Sequence, residues 1–420
     1  MLNLQVFGAT EYMDGALTFP VLNELLLRGR PSRSFRDRRR PSRVCGAEWD
    51  TAERWKACRA IEALDFCGCV SSVFVNALDE FTRTYLCSDE DDGQSMTFPG
   101  LQRLGLRGVR SVPSSILTPF VMAFPSLTHL DLSGTLCSQE LLQQLAGSST
   151  LRLTSLALAR CARLTSESIA FLLIQGPATF DLVELSLYGD TTFPSALTEA
   201  DLHSIVVNAR CFGSGKLRYL DLSSCPVTPE ILDAFPPQPS LRSFGLAHIA
   251  DLPLSHISKF MVSCARNVEI LALVNTSPEL NQTPRQAALA LHSHIVQPLS
   301  TSPFSFSLTT FTPHVPPSTR LRVIELSTPL LNSLGAGAGA WRIVRSKGGR
   351  GWYVDTASGW VTESWDTPQL RRDLPPQHPF RAELVRLADS NGNVSSGVGW
   401  HARKMEVRFI VSQALLELVC

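Results

Sequence analysis

The sequence predicts an α/β fold built as a solenoid, in which a short strand and a helix recur side by side along the chain. Three observations predict it. Ten segments fit one template of spaced apolar residues, L-x-x-L-x-L, and the clearest is LTHLDLSG with Leu127, Leu130 and Leu132. The other nine begin at Leu22, Ile61, Leu101, Leu153, Leu182, Leu217, Leu241, Val268 and Leu321. Successive starts are separated by 39, 40, 26, 26, 29, 35, 24, 27 and 53 residues, most regularly between 101 and 268. Finally, several of the intervening segments carry apolar residues at helical spacing.

The last two apolar positions of the template are one residue apart, so both point to the same face of a strand. A period near 26 residues with one short strand per period is the pattern of leucine-rich repeats. Stacked in parallel, the strands would bury that face in a continuous apolar column and turn the intervening residues outward on a concave side. A single repeat cannot bury its own apolar face, so its stability depends on its neighbours. Met1, Leu4 and Val6 already fit the spacing, which places the start of the chain inside a repeat. Helices are expected on the convex side. TPEILDAF offers Thr228 as N-cap and Pro229 at the first helical position, where its missing N–H costs nothing. TEADLHSIVV opens with Thr198 and Asp201 in a capping-box spacing, and SQELLQQLAG closes on Gly147. SESIAFLLIQG and SSVFVNALDEFTRTYL complete the helical set.

Two repeats carry a further resemblance. LTSLALARCARLTSESIAFLL and LRYLDLSSCPVTPEILDAF place Cys161 and Cys225 after the strand, with Thr165 and Thr228 at the next helix start. This resembles the cysteine-containing type of leucine-rich repeat of the ribonuclease-inhibitor-like superfamily, as in F-box substrate receptors and related fungal proteins. The resemblance covers roughly residues 1–330. It implies a solenoid that binds other proteins. Many unrelated activities share such scaffolds, so function has to be read from the surface.

Composition narrows the classes. Lys plus Arg equals Asp plus Glu at 38 each, so no overall charge draws the chain to nucleic acid or membrane. No apolar run approaches the ~20 residues of a membrane span, and the first residues lack the basic and apolar regions of a secretory signal. Eleven cysteines are too irregularly spaced for a disulfide scaffold, and several sit at repeat positions as small buried groups. A reducing address, cytoplasmic or nuclear, is expected. Residues 1–330 are assigned to the solenoid, with loop insertions near 28–60, 87–98 and 276–318, the first holding eight Arg within 28–43. Residues 331–420 are assigned to a β-rich module that opens with LGAGAGAW and holds Trp341, Trp352, Trp360, Trp365 and Trp400. WRIVRSKGGRGWYVDTASGWVTESW reads as a meander of three short strands, either a cap of the solenoid or a separate aromatic recognition surface. The terminal VRFIVSQALLELVC reads either as a helix packed on this module or as a displaced reading frame.

No motif carries catalytic chemistry. GAGAGA satisfies G-x-G-x-x-A formally, but a strand rather than a helix follows it. Cys67-Gly-Cys69 has no second pair at zinc spacing, and His292-Ser-His294 lacks the geometry of a metal-binding helix and reads as loop. No catalytic residue, cofactor or metal is therefore assigned, and a non-enzymatic role is expected. The outward strand positions remain. Arg103, Arg107, His129, Asp131, Glu184, Tyr188, Tyr219 and Asp221, with Glu325 beyond them, form a mixed-charge ladder of the kind found at protein interfaces. The expected function is a scaffold that binds a protein partner, rather than nucleic acid or membrane, through this ladder. The alternative is the substrate receptor of a ubiquitin ligase, although this chain shows no F-box ahead of its repeats.

Overall fold

The computed structural model describes residues 6–9, 11–27, 61–87, 96–300, 318–345 and 351–355. These fall into two compact units, one ending at Phe180 and the other beginning at Asp181. In the first unit, strands β1 (Val6–Gly8), β2 (Ala63–Asp65), β3 (Arg103–Gly105), β4 (His129–Asp131) and β5 (Ser155–Ala157) pair in parallel in chain order. In the second, β6 (Glu184–Ser186), β7 (Tyr219–Asp221), β8 (Ser243–Gly245), β9 (Ile270–Ala272) and β10 (Val323–Leu326) do the same. A hairpin of β11 (Trp341–Arg345) and β12 (Gly351–Asp355) then joins β10 antiparallel through β12.

Each parallel strand puts its template leucines into the core. Leu64, Leu104, Leu130 and Leu156 are fully buried in register, as are Leu185, Leu220, Phe244 and Leu271. The helices close the other side of that core. Phe66 after β2 packs on Phe74 of helix Ser72–Tyr85 at 5.2 Å, and Phe244 of β8 on Phe260 of helix Leu254–Ser263 at 5.3 Å. Both units are α/β leucine-rich-repeat solenoids.

The helix starts follow the sequence. Thr228 Oγ1 accepts the Ile231 N–H, Thr198 Oγ1 accepts the Asp201 N–H, and Thr165 and Ser168 form a reciprocal capping box. Each cap satisfies an N–H that the first helical turn leaves open. Asp14 fastens the first unit's N-terminal loop by accepting the N–H groups of Val70 and Ser71 at 2.8 and 2.7 Å, just ahead of helix Ser72–Tyr85.

The turn after the strand is also periodic. Three residues beyond β2, β3, β4, β5, β7, β8 and β9 the backbone enters the left-handed region, at Gly68, Gly108, Gly134, Arg160, Ser224, His248 and Asn275. Amide groups at these turns extend the ladder. Gly68 N–H donates to Arg107 O at 2.7 Å, Ser224 N–H to Ala247 O at 2.7 Å, and His248 N–H to Val274 O at 2.7 Å. Only three of the seven turn residues are glycine; the other four hold a conformation that costs an L-residue about 1–2 kcal/mol.

Cys161 and Cys225 sit one residue past this turn and are buried. The Cys161 thiol donates to Leu132 O at 3.1 Å and the Cys225 thiol to Leu187 O at 3.6 Å. Thr276 Oγ1 makes the equivalent bond to Leu246 O at 2.5 Å, so the position serves as a side-chain donor to the preceding repeat. Burial pushes the Cys225 thiol up to about 12. The adjacent Cys137 thiol, with burial, pushes Cys161 well above the usual thiol range.

The structure differs from the sequence expectations in two places. The segment from Leu22 is not a strand: it lies in helix Phe19–Leu27, where Leu22 and Leu26 form a buried i, i+4 pair. Strand β1 instead carries Val6 of the earlier spacing. The stretch from 276, expected as loop, is helical over Pro284–Leu291, His292–Val296 and Gln297–Ser300. His292 and His294 therefore stand in a single π-helical turn. Two strands of the expected meander are described; Trp360, Trp365, Trp400, the Arg-rich 28–43 segment, residues 88–95 of the second insertion and VRFIVSQALLELVC lie outside the described residues.

Two outcomes follow from this core. Leu130→Asp should unfold the first unit in thermal melts, because an unpaired carboxylate at a fully buried site costs several kcal/mol; an unchanged cooperative transition would contradict the inward assignment. Cys161 and Cys225 should react with a thiol reagent only after denaturation, read by mass spectrometry of the labelled peptides.

Candidate protein-binding face

The face of each sheet opposite the buried leucines carries the residues that the sequence set outward. In the first unit Arg103 and His129 are register partners on β3 and β4, Asp131 ends β4, and Arg107 follows β3. In the second unit Glu184 and Tyr219 are register partners on β6 and β7, Asp221 ends β7, and Tyr188 follows β6. The eight residues thus form two sets of four, one on each unit.

Only part of each set reaches solvent. Arg103 is exposed, while Arg107, His129, Glu184 and Tyr188 are partly exposed. Asp131 and Asp221 are each 2% exposed, Tyr219 is 5% and Glu325 is 4%, so these four lie on the outward side of their strands but are shielded from solvent. The reason for the two aspartates is a local bond that the template does not reveal. Asp131 Oδ1 accepts the Ser133 N–H at 2.9 Å, and Asp221 Oδ1 accepts the Ser223 N–H at 3.0 Å. Asp65, at the same strand position, accepts the Cys67 N–H at 2.9 Å. Each carboxylate folds back on the turn that follows its own strand.

Such a carboxylate needs room on the next strand, and small residues provide it. Along the register of the first unit the position reads Asp65, Gly105, Asp131, Ala157. In the second it reads Ser186, Asp221, Gly245, Ala272. A Cβ on Gly245 would overlap Asp221 Oδ1 and lie 2.6 Å from its Cγ. Tyr219 belongs to the same cluster, because its hydroxyl donates to Asp221 Oδ2 at 3.2 Å. Ser223 Oγ in turn accepts the Ala247 N–H at 3.0 Å. Tyr219 and Asp221 are consequently building parts of the open face.

Arg103 and His129 have a different character. Thr128 Oγ1 lies 2.8 Å from His129 Nδ1. Burial, then the neighbouring Arg103 guanidinium, lowers the His129 pKa to about 4, so the imidazole is neutral at physiological pH. A neutral, hydrogen-bonding ring beside an exposed guanidinium is a pair suited to polar contact with a partner surface.

The remaining motifs are structural. Gly335, Gly337 and Gly339 all have positive φ, and the segment bends into β11 through a bridge between Ala338 and Trp341. GAGAGA is therefore a tight turn ahead of a strand. Cys69 is buried and its thiol pushed up to about 12 by burial, while Cys67 is half-buried beside it. Among the described residues no group of three His, Cys, Asp or Glu side chains could hold a metal ion.

No family model matches the sequence, and no curated protein matches it. Among solved structures, the complex of Rad7 and Elc1 in yeast aligns at 16% identity over 54% of this chain and 53% of that chain, with a TM-score of 0.39. The complex of TLR13 with ssRNA13 aligns at 16% identity over 56% of this chain and 36% of that chain, with a TM-score of 0.30. The aligned regions span about half and about a third of those chains.

Two measurements check the geometry of this face. Gly245→Ala should destabilise the protein by about 1–3 kcal/mol through overpacking, and by much less when Asp221 is also Ala; additive losses would show that the two residues do not meet. In an NMR titration of the imidazole protons, His129 should titrate near pH 4, and Arg103→Ala should raise that midpoint. Because the folded pKa lies below the unfolded value, the neutral ring's contribution to stability is complete above pH ~6.5. It is lost progressively as the pH falls from there towards 4.

Proposed function

We propose that the chain is a non-enzymatic repeat scaffold that binds a protein partner through the open faces of its strands. The observation that carries the reading is Arg103. It stands exposed on a strand between residues that the fold uses, with half-buried His129 as its register partner. Buried Asp131, Tyr219 and Asp221 shape this face from beneath, while Arg103, Arg107 and His129 in the first unit and Glu184 and Tyr188 in the second are the contact groups. Arg and Tyr suit that role because they bring large contact area and directional hydrogen bonds.

The cysteine position of the repeats supports the ribonuclease-inhibitor-like, cysteine-containing subtype, since Cys161 and Cys225 donate to the preceding repeat at matching sites. The same thiol donors favour a reducing compartment, cytoplasm or nucleus, as the working address.

The test is affinity purification from native cells with the full chain and its Arg103→Glu and Tyr188→Ala variants, quantified by mass spectrometry. A partner held by the open face should be lost about tenfold or more with at least one variant, the effect of a hot-spot contact worth ~2 kcal/mol, at an unchanged melting temperature. Partners retained by both variants, but lost on deletion from residue 335 onward in a chain that stays folded, would move the recognition surface to the C-terminal hairpin.

A further inference from the structure

A second surface lies where the strands of the second unit begin. The residues immediately ahead of β7, β8, β9 and β10 are Arg218, Arg242, Glu269 and Arg322. Backbone bonds stack them in that order: Arg242 N–H donates to Arg218 O at 2.8 Å, Glu269 N–H to Arg242 O at 2.8 Å, and Arg322 N–H to Glu269 O at 2.9 Å. Adjacent rungs are therefore about 4.8 Å apart. Lys216 and Arg320, two residues further back, extend the edge, and Arg320 N–H donates to Arg266 O at 2.9 Å. The side chains of Lys216, Arg218, Arg266 and Arg320 are exposed, and those of Arg242 and Arg322 are partly so.

Three acids share the edge with these six cations. Glu269 is nearly buried and is held by Arg242 at 3.3 Å. Asp181 lies 3.4 Å from Lys216, with both side chains more than half exposed, a pairing of little strength in water. Asp355 closes the far end, its N–H donating to Arg322 O at 2.9 Å.

The fold does not require these cations. The equivalent residues ahead of β2 to β5 in the first unit are Glu62, Gln102, Thr128 and Thr154. They are stacked by the same bonds: Gln102 N–H to Glu62 O at 2.9 Å, Thr128 N–H to Gln102 O at 2.8 Å, and Thr154 N–H to Thr128 O at 2.7 Å. One rung thus accepts an acid, an amide or a hydroxyl. The exposed cations of this edge, Lys216, Arg218, Arg266 and Arg320, outnumber its one exposed acid, Asp181, and repel one another, although the fold requires none of them. An anionic partner relieves that repulsion.

We propose that the strand-start edge of the second unit binds an acidic segment of a partner protein, separately from the open-face contacts described above. A protein segment fits better than nucleic acid for two reasons. The row is broken by Glu269 and bounded by Asp181 and Asp355, so it offers discrete guanidinium forks, which pair with individual carboxylates, rather than a continuous track for phosphates. Its rungs also present no exposed aromatic ring on which a base could stack.

The experiment uses the full chain and fluorescence anisotropy with a labelled peptide of alternating Glu and Gly, compared with a single-stranded oligothymidylate of equal charge. The variant is Arg218→Thr with Arg320→Thr, which places on this edge the residue type that the first unit carries. The peptide should bind the unaltered chain more tightly than the oligonucleotide, and the double variant should weaken peptide binding about tenfold, or ~1.4 kcal/mol, at an unchanged melting temperature. Arg152→Thr, in the first unit, should leave peptide binding unchanged. The proposal is overturned if the peptide does not bind, if the double variant binds it as well as the unaltered chain, or if the oligonucleotide binds at least as tightly and is lost with the same two arginines. None of these outcomes depends on Arg103 or Tyr188, so the open-face reading stands or falls on its own variants.

Discussion

From β2 to β9 each three-residue strand buries one central leucine or phenylalanine, and it can do so only because the neighbouring strand stands in register beside it. A strand of this length makes too few hydrogen bonds and covers too little surface to persist alone. Register is held at both ends. Before the strand, the N–H of the preceding residue reaches the equivalent carbonyl of the previous rung, as from Thr128 to Gln102. After it, the left-handed turn sends another N–H to the following repeat, as from Gly108 to Ser133. Repeats of 24 to 35 residues can then share one spacing, because the variation in length is absorbed between these two fixed points.

The open face inherits this discipline. A carboxylate at the end of a strand can bond its own turn only if the next strand offers a small residue, and the alternation of Asp65, Gly105, Asp131 and Ala157 meets that condition. Polar residues on the face therefore divide into two kinds. Asp131, Asp221 and Tyr219 are buried and spend their hydrogen bonds on the fold. Arg103 projects from a position where the backbone makes no demand on the side chain. The strand-start edges differ in a similar way: Glu62, Gln102, Thr128 and Thr154 serve one unit, while Arg218, Arg242, Glu269 and Arg322 fill the equivalent rungs of the other.

The hairpin of β11 and β12 ends the parallel series by pairing antiparallel with β10. Its ring packing is continuous with the core. Tyr353 is buried, packs on Trp341 at 5.1 Å, accepts the Ala338 N–H at 3.0 Å and lies 3.2 Å from His292 Nε2. His292 belongs to the π-helical turn, whose wider backbone brings its ring against the hairpin. Trp341 and Trp352, prominent in the sequence as possible recognition residues, are both buried here.

The sequence by itself determined the repeat, the positions of nine strands from the template starts between Ile61 and Leu321, the caps at Thr165, Thr198 and Thr228, and the buried role of Cys161 and Cys225. These were legible because each depends on local spacing: alternation along a strand, or a side chain three residues from the amide it caps. The misreading at Leu22 has the same root, since L-x-x-L-x-L also satisfies a helical face and only packing chooses between them. Tertiary structure alone decided which outward residues are available. Asp131 and Arg103 occupy the same kind of strand in the sequence, but a bond to the next turn and the small residues on neighbouring strands bury one and leave the other in solvent. That choice depends on residues 26 or more positions away, brought to about 4.8 Å by the stacking of repeats. For the same reason the arginines at the strand starts are scattered along the sequence and form a row only when the rungs are stacked.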